Sequence, residues 1–130
     1  MKKFVFASVM ALASISLVSA PTLRAQDSDQ ITIKDPAEFN AYQMAITQSD
    51  PKAKAATLET FLQTYPQSVV KSDVLDRLVD TYQQLAAQAK DAQSAADAND
   101  HTVSAASRLL QVDPNNMKAI YVSVDIKRKQ

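Results

Sequence analysis

The 130-residue chain contains no cysteine and no glycine, and it has a single histidine. Without cysteine, disulfide bonds and the lipid-bearing cysteine of a lipoprotein are excluded. Without glycine, the glycine-rich phosphate loops are excluded, and all-β folds that rely on tight glycine turns become unfavourable. The composition therefore favours an all-α chain that does not bind nucleotides through a glycine-rich loop.

The first 25 residues are typical of a secretory signal peptide. Lys2-Lys3 precede an uncharged apolar run over 4–18, which is short for a membrane span and suits the central region of a signal peptide. A proline directly after the cleaved bond is unfavourable, which disfavours cleavage at Ala20-Pro21. We therefore predict cleavage after Ala25 and a periplasmic or secreted protein without stable membrane insertion; an uncleaved N-terminal anchor is the alternative.

The charge of the chain beyond the predicted cleavage site is mildly negative. All 14 acidic residues lie beyond Ala25, whereas three of the 14 basic residues precede it, which leaves 11 basic residues and a net charge of −3. This balance argues against nucleic acid as a partner. The one basic cluster, Lys127-Arg128-Lys129, is interpreted as a solvated tail.

Aspartate, proline and asparagine mark the helix boundaries of the remaining chain. Residues 26–34 are polar and predict an extended or disordered lead-in. Asp35-Pro36 and Asp50-Pro51 each combine a capping carboxylate with a proline suited to the first helical turn. Further helix starts are predicted at Ser68, at Asn99-Asp100 and near Asn116. The sequence thus predicts about five helices joined by short turns.

Apolar residues recur at helical spacing in these segments. The first predicted helix has the stripe Phe39, Tyr42 and Ile46, and the third has the strongest pattern in the chain. Residues 86–98 contain seven alanines and no large apolar side chain. Because alanine favours helix but buries little, this stretch is an extension of the third helix or a mobile linker.

Two segments, FLQTYPQSVVKSDVLDRLVDTYQQL and ASRLLQVDPNNMKAI, resemble tetratricopeptide repeats. The first is similar to the version found in bacterial cell envelopes, in which a Tyr-Pro-x-Ser turn leads into a helix with a leucine pair and a tyrosine. The matching residues are Pro66, Ser68, Leu75, Leu78 and Tyr82. The turn Asp113-Pro114-Asn115-Asn116 is a frequent boundary of the family. The resemblance covers 35–130 and implies an α-solenoid of antiparallel helical hairpins.

The spacing of the turn prolines departs from the family's repeat length of about 34 residues. Pro36 and Pro66 are 30 positions apart, whereas Pro66 and Pro114 are 48 apart. The alanine-rich stretch 86–98 is the natural place for the excess.

The resemblance implies a non-catalytic interaction or scaffold module that binds a protein or a peptide. In tetratricopeptide arrays, one side of the first helix of each unit lines a concave groove. By this resemblance, Asp73, Arg77, Asp80 and Gln84 contact the partner. A solvated helix face with an ion pair between Asp73 and Arg77 is the alternative.

The predicted fifth helix carries an apolar stripe of Met117, Ile120 and Val124. No later helix in the sequence covers this stripe, which favours self-association or docking of another chain. Either the segment packs back as a solitary cap, or the chain is the N-terminal fragment of a longer repeat array with little function of its own.

No catalytic or metal-binding constellation is evident. His101 has Asp97, Asn99 and Asp100 as neighbours, but zinc requires more convergent ligands and a calcium loop requires a turn glycine. No nucleophile elbow accompanies the single histidine. We therefore expect neither a metal nor a cofactor nor enzymatic activity, although an accessory helical domain of an envelope enzyme is a further interpretation.

Overall fold

The computed structural model describes residues 32–129, with side chains to residue 128. The predicted signal peptide and its cleavage site lie outside the described residues, as does most of the lead-in. Five helices occupy this described range, and no strand is found in it: α1 (Pro36–Thr47), α2 (Pro51–Thr64), α3 (Lys71–Gln88), α4 (Ala92–Val112) and α5 (Met117–Lys129). The prediction of an all-α chain with about five helices is confirmed.

The first two helices start where the aspartate-proline pairs predict. The Asp35 side chain accepts a hydrogen bond from the Ala37 amide, and the Asp50 side chain accepts one from the Ala53 amide, at 2.7 and 2.8 Å. In each case the proline occupies the first turn, where its missing N–H removes no helical bond. These caps satisfy amides that would otherwise lack a partner.

The predicted cap of the third helix is wrong. Helix α3 begins at Lys71 after Val70, which provides no side-chain cap. The Ser68 carbonyl accepts from the Lys71 amide at 3.1 Å, so Ser68 closes a separate turn before the helix starts. Its hydroxyl accepts from the Val70 amide at 3.2 Å and donates to the Glu38 carboxylate at 2.5 Å. Ser68 therefore ties this turn to α1.

The predicted start of the fourth helix is also wrong. Asn99 and Asp100 lie inside α4, which begins at Ala92. The Asp91 carboxylate provides the cap, because its Oδ1 accepts from the Ser94 amide at 2.8 Å. The stretch 86–98 is thus divided between the end of α3 and the beginning of α4, with a short break at 89–91. Alanine, the strongest helix former, allows both helices to extend into it.

Successive helices pack against each other, and α3 lies between α2 and α4. The largest fully buried side chains are Leu58, Leu75, Leu78, Leu109, Val74, Val79 and Thr102. Four small residues, Ala98, Ala105, Ala106 and Ala119, are buried on α4 and α5, where they allow close helix approach. Phe39, a member of the predicted apolar stripe of the first helix, is 46% exposed, and Ala45 supplies the buried position of α1. The result is a five-helix bundle compatible with a helical repeat fold.

Candidate functional site

One face of α3 carries a row of polar side chains, which we call the α3 polar row: Asp73, Asp76, Arg77, Asp80 and Gln84. At one end of this row, Asp73 accepts hydrogen bonds from two side chains. The Arg77 Nε donates to Asp73 Oδ2 at 2.7 Å, and the Tyr42 hydroxyl of α1 donates to the same oxygen at 2.8 Å. The row therefore contacts α1 through a shared carboxylate oxygen.

The protonation states of Tyr42 and Arg77 favour their hydrogen bonds to Asp73. Burial raises the pKa of the Tyr42 hydroxyl, and the hydrogen bond to Asp73 adds to the shift. The hydrogen bond to Asp73 raises the pKa of the Arg77 guanidinium despite partial burial. Tyr42 thus remains a neutral donor and Arg77 a cation at neutral pH. The predicted ion pair between Asp73 and Arg77 is present, so these two side chains hold each other in one geometry.

At the middle of the row, Lys118 of α5 bridges two carboxylates of α3. Its Nζ donates to Asp76 Oδ2 at 2.7 Å and to both carboxylate oxygens of Asp80 at 2.9 Å. Burial opposes the charge of Lys118, but its bonds to Asp76 and Asp80 outweigh burial, so the pKa of Lys118 is raised. The α3 polar row is therefore connected to α1 at one end and to α5 at its middle.

A pocket of about 370 Å³ adjoins the Tyr42 end of the row. Its lining combines apolar side chains with one carboxylate: Thr32, Ile33, Phe39, Tyr42, Val70 and Asp73. Ile33 belongs to the non-helical segment before α1, is half-buried and packs against the core cluster. An extended segment of this chain therefore already lies against the pocket beside Asp73.

The four binding residues predicted from the sequence have different partners in the structure. Asp73 and Arg77 pair with each other, Asp80 pairs with Lys118, and Gln84 is exposed at the far end of the row. Sequence reasoning missed Asp76 and Lys118 as members of this surface, because their contact joins positions 42 residues apart. It placed Tyr42 in the apolar stripe of the first helix, and no local signal marked its hydroxyl as a partner of Asp73.

The other side of the helices carries a second set of contacts. Arg108 of α4 donates through Nη1 to both oxygens of Glu59 of α2, at 2.8 and 2.9 Å. The Tyr82 and His101 rings stack with centroids 4.9 Å apart, which joins α3 to α4. His101 is therefore held against an aromatic ring in the interior of a helix and does not cap a helix start.

A cleft of about 500 Å³ lies beside this ring pair, between the start of α2 and the α3–α4 turn. Asp50, Lys52, Lys90, Asp91 and Asp97 contribute charges of both signs to its walls. Asp50 and Asp91 are engaged as helix caps. The cleft thus offers mixed charge with two of its carboxylates occupied by backbone amides.

A groove of about 210 Å³ runs between α1 and α2, lined by Ala41, Met44, Thr57, Thr60, Phe61, Thr64 and Tyr65. The three threonine hydroxyls donate to backbone carbonyls one turn earlier in α2, at 2.7 to 2.9 Å. Because their hydroxyls bond within the helix, the groove is less polar than its three threonines would suggest.

The predicted apolar stripe of α5 is exposed: Met117 at 76%, Ile120 at 39% and Val124 at 62%. Tyr121, which was not part of the predicted stripe, is 70% exposed and lies at the same helical spacing. The opposite side of α5 is buried through Ala119 and Val122. We call Met117, Ile120, Tyr121 and Val124 the α5 apolar stripe.

Comparison of the chain with protein-family models, with curated proteins and with solved structures found no match. Over residues 32–129, none of the helices combines the length and apolar character needed to span a membrane. The same described range contains no group of three or more histidine or acidic side chains arranged to hold a metal ion.

Proposed function

We propose that the protein is an exported, non-catalytic interaction module built from tetratricopeptide-like helical hairpins. The α3 polar row and the neighbouring pocket at Tyr42 form the surface that binds a peptide segment of a partner protein. Export is supported by the positive start and apolar run of the N-terminal 25 residues. The repeat architecture is supported by the turn sequences and by the pattern of contacts between helices.

The observation that carries this proposal is that side chains link each helix to the helix after next. Tyr42 of α1 contacts Asp73 of α3, Arg108 of α4 contacts Glu59 of α2, and Lys118 of α5 contacts α3. Stacked helical hairpins place the first helices of successive units side by side, and likewise the second helices. Helices α1, α3 and α5 then form one surface, and the α3 polar row lies at its centre.

The chemistry of this surface suits an extended peptide. The pocket at Tyr42 is lined mainly by apolar side chains, Ile33 and Phe39 among them, and therefore suits an apolar side chain of the peptide. The adjacent row has three carboxylates, in Asp73, Asp76 and Asp80, against the cations Arg77 and Lys118. This excess of negative charge favours a partner segment that carries a basic residue beside the apolar one.

The proposal is tested by selecting peptides from a library on the purified protein and measuring their affinity by calorimetry. Gln84→Arg adds a cation to the exposed end of the row and is expected to weaken the selected peptides at least fivefold. Gln111→Arg is the matched control, because Gln111 is an exposed glutamine of α4 outside the row. Its affinity for the same peptides should equal that of the wild type.

Circular dichroism of both variants must match the wild type for the comparison to hold. If the selected peptides bind Gln84→Arg and the wild type equally, the α3 polar row is not the binding surface. If affinity falls equally in both variants, the effect is one of overall charge, and the proposed site is again contradicted.

A further inference from the structure

The α5 apolar stripe is a row of exposed apolar side chains on a single helix. Its four side chains occupy one face of α5, since their spacing of three and four residues returns to the same side of a helix. Within residues 32–129, no other helix covers them, and Met117, Tyr121 and Val124 are more than 60% exposed. Buried Ala119 and Val122 hold the other side of α5 against the bundle. The stripe is therefore a fixed apolar surface and not part of the core.

The order of residues along α5 is suited to pairing with an identical helix. Met117 and Val124 are equally distant from the midpoint between Ile120 and Tyr121. In an antiparallel pair about a two-fold axis at that midpoint, Met117 meets Val124 of the second copy, and Ile120 meets its Tyr121. Each end of the stripe thus receives an apolar side chain of the other copy, as an isologous interface requires.

Charge at the two ends favours the same pairing. Arg128 lies one turn beyond Val124 and is mostly exposed. Asp113, the C-cap residue of α4, lies beyond the opposite end of α5, in the turn that precedes Met117. An antiparallel pair brings Arg128 of one copy to Asp113 and to the negative end of the α4 dipole of the other copy. A parallel pair would place Arg128 beside the second Arg128, which is unfavourable.

We propose that the α5 apolar stripe binds a second copy of this chain, with the two α5 helices antiparallel about a two-fold axis. The interface is separate from the α3 polar row, because Lys118 and the row lie beside the buried side of α5. Four side chains per copy form a small interface. The dimer is accordingly expected to dissociate at roughly micromolar concentration and to weaken as salt screens the Arg128–Asp113 pair.

The absence of cysteine makes disulfide trapping a direct test of orientation. Met117→Cys and Val124→Cys proteins, in the form that the producing cell releases, are oxidised with diamide separately and as a mixture. The antiparallel pair places position 117 of one copy at position 124 of the other. The mixture is therefore expected to give a cross-linked dimer on a non-reducing gel, and each protein alone to give little.

Cross-linking of Val124→Cys alone, equal to that of the mixture, would overturn the antiparallel arrangement in favour of a parallel one. Absence of a cross-link in all three samples would overturn pairing through α5 altogether. Sedimentation of the wild type across a concentration series provides the independent measurement. A wild type that remains monomeric at several hundred micromolar would contradict the proposal irrespective of the cross-linking.

A variant pair separates this interface from docking of α5 onto the α1–α2 groove. Tyr121→Glu places a charge at the centre of the stripe and is expected to raise the dimer dissociation constant at least tenfold. Met44→Gln alters an apolar residue of similar exposure, 62% against 70% for Tyr121, that lines the groove. Dimerisation of Met44→Gln should equal that of the wild type; if it weakens as much as Tyr121→Glu does, the partner surface is the groove and not a second α5.

Discussion

At the scale of single residues, the burial of Leu78 determines how strongly its truncation destabilises the fold. It lies in the middle of α3, is fully buried and belongs to the core cluster, to which all five helices contribute. Truncation leaves a cavity in this core, and Leu→Ala in such a position costs about 2–5 kcal/mol. We expect Leu78→Ala to lower the urea midpoint markedly, while Ala92→Ser, at the exposed start of α4, shifts it little. Similar midpoint shifts for the two variants would contradict this account.

Thr102 is a buried residue whose hydroxyl contributes little. It is fully buried, and its hydroxyl donates to the Ala98 carbonyl, which is one turn earlier in the same helix. That carbonyl also receives the helical amide, so it keeps a partner if the hydroxyl is removed. The methyl group, in contrast, fills space against neighbouring side chains.

We therefore expect Thr102→Val to change the free energy of unfolding by less than about 1 kcal/mol and Thr102→Ser to cost about 1 kcal/mol. Chemical denaturation of both variants measures the difference. A Thr102→Val variant that is less stable than Thr102→Ser would show that the hydroxyl, and not the methyl group, is the important part.

At the scale of helices, a boundary could be predicted from the sequence where adjacent residues determine it. A boundary that depends on where the preceding helix ends could not. Asp35-Pro36 and Asp50-Pro51 carry a cap and a proline in adjacent positions, so the starts of α1 and α2 followed directly. Asp91 lacks a following proline and stands in an alanine-rich stretch. Its role as a cap depends on where α3 ends, and the Asn99-Asp100 pair gave a stronger but misleading signal.

In the candidate site, likewise, a contact within one helix could be predicted from the sequence, whereas a contact between helices could not. The spacing of Asp73 and Arg77 within one helix predicts their ion pair, because residues four apart are neighbours on a helix. Lys118 and Asp76 meet only because α5 lies close to α3, and no local pattern encodes that distance. Phe39 has the helical spacing of an apolar stripe, yet it is exposed and Ala45 is buried, because the side of α1 that is covered depends on the helices packed against it.

The cap at Asp91 predicts that the stability of the start of α4 depends on pH. Hydrogen bonds from the Ser94 amide and hydroxyl lower the pKa of Asp91 below its ordinary value of 3.8. Because the folded-state pKa is lowered, the cap stabilises fully above that ordinary value and is lost as the pH falls through the folded-state pKa. The stability difference between wild type and Asp91→Ala is expected to be constant near neutral pH and to narrow below pH 3.8.

Thermal unfolding as a function of pH measures that difference. Asp97→Ala, a substitution inside the same helix, is the matched control, because Asp97 caps no amide and accepts only from the Gln93 side chain. A difference between wild type and Asp91→Ala that persists unchanged at the lowest pH would show that capping by the ionised carboxylate is not its source.

At the scale of the whole molecule, export is the first property to test. The apolar run over 4–18 and the unfavourable Ala20-Pro21 junction predict a released chain that begins at Gln26. N-terminal sequencing and intact mass of the protein recovered from the cell envelope measure its start. A recovered chain that begins at Met1 or at Pro21 would contradict cleavage after Ala25.

The distribution of stability along the chain is the last prediction, and it follows from the linear order of packing. Helix α3 packs on both α2 and α4, whereas within the described residues α1 packs mainly on α2, and α5 mainly on α4. In a linear array, stability is the sum of contributions from neighbouring units, so a helix with one neighbour opens more readily than a helix with two. Amide hydrogen exchange should therefore be slowest in α3 and in the facing part of α4, and fastest in α1 and α5.

The proposed dimerisation would modify this order of exchange rates in one place. If α5 pairs with a second copy, protection of α5 should rise with protein concentration, while protection of α1 stays constant. The Tyr121→Glu variant should lose that dependence and keep the protection of α3. Uniform exchange rates across all five helices would contradict the linear array, since they would mean that the bundle opens only as a single cooperative unit.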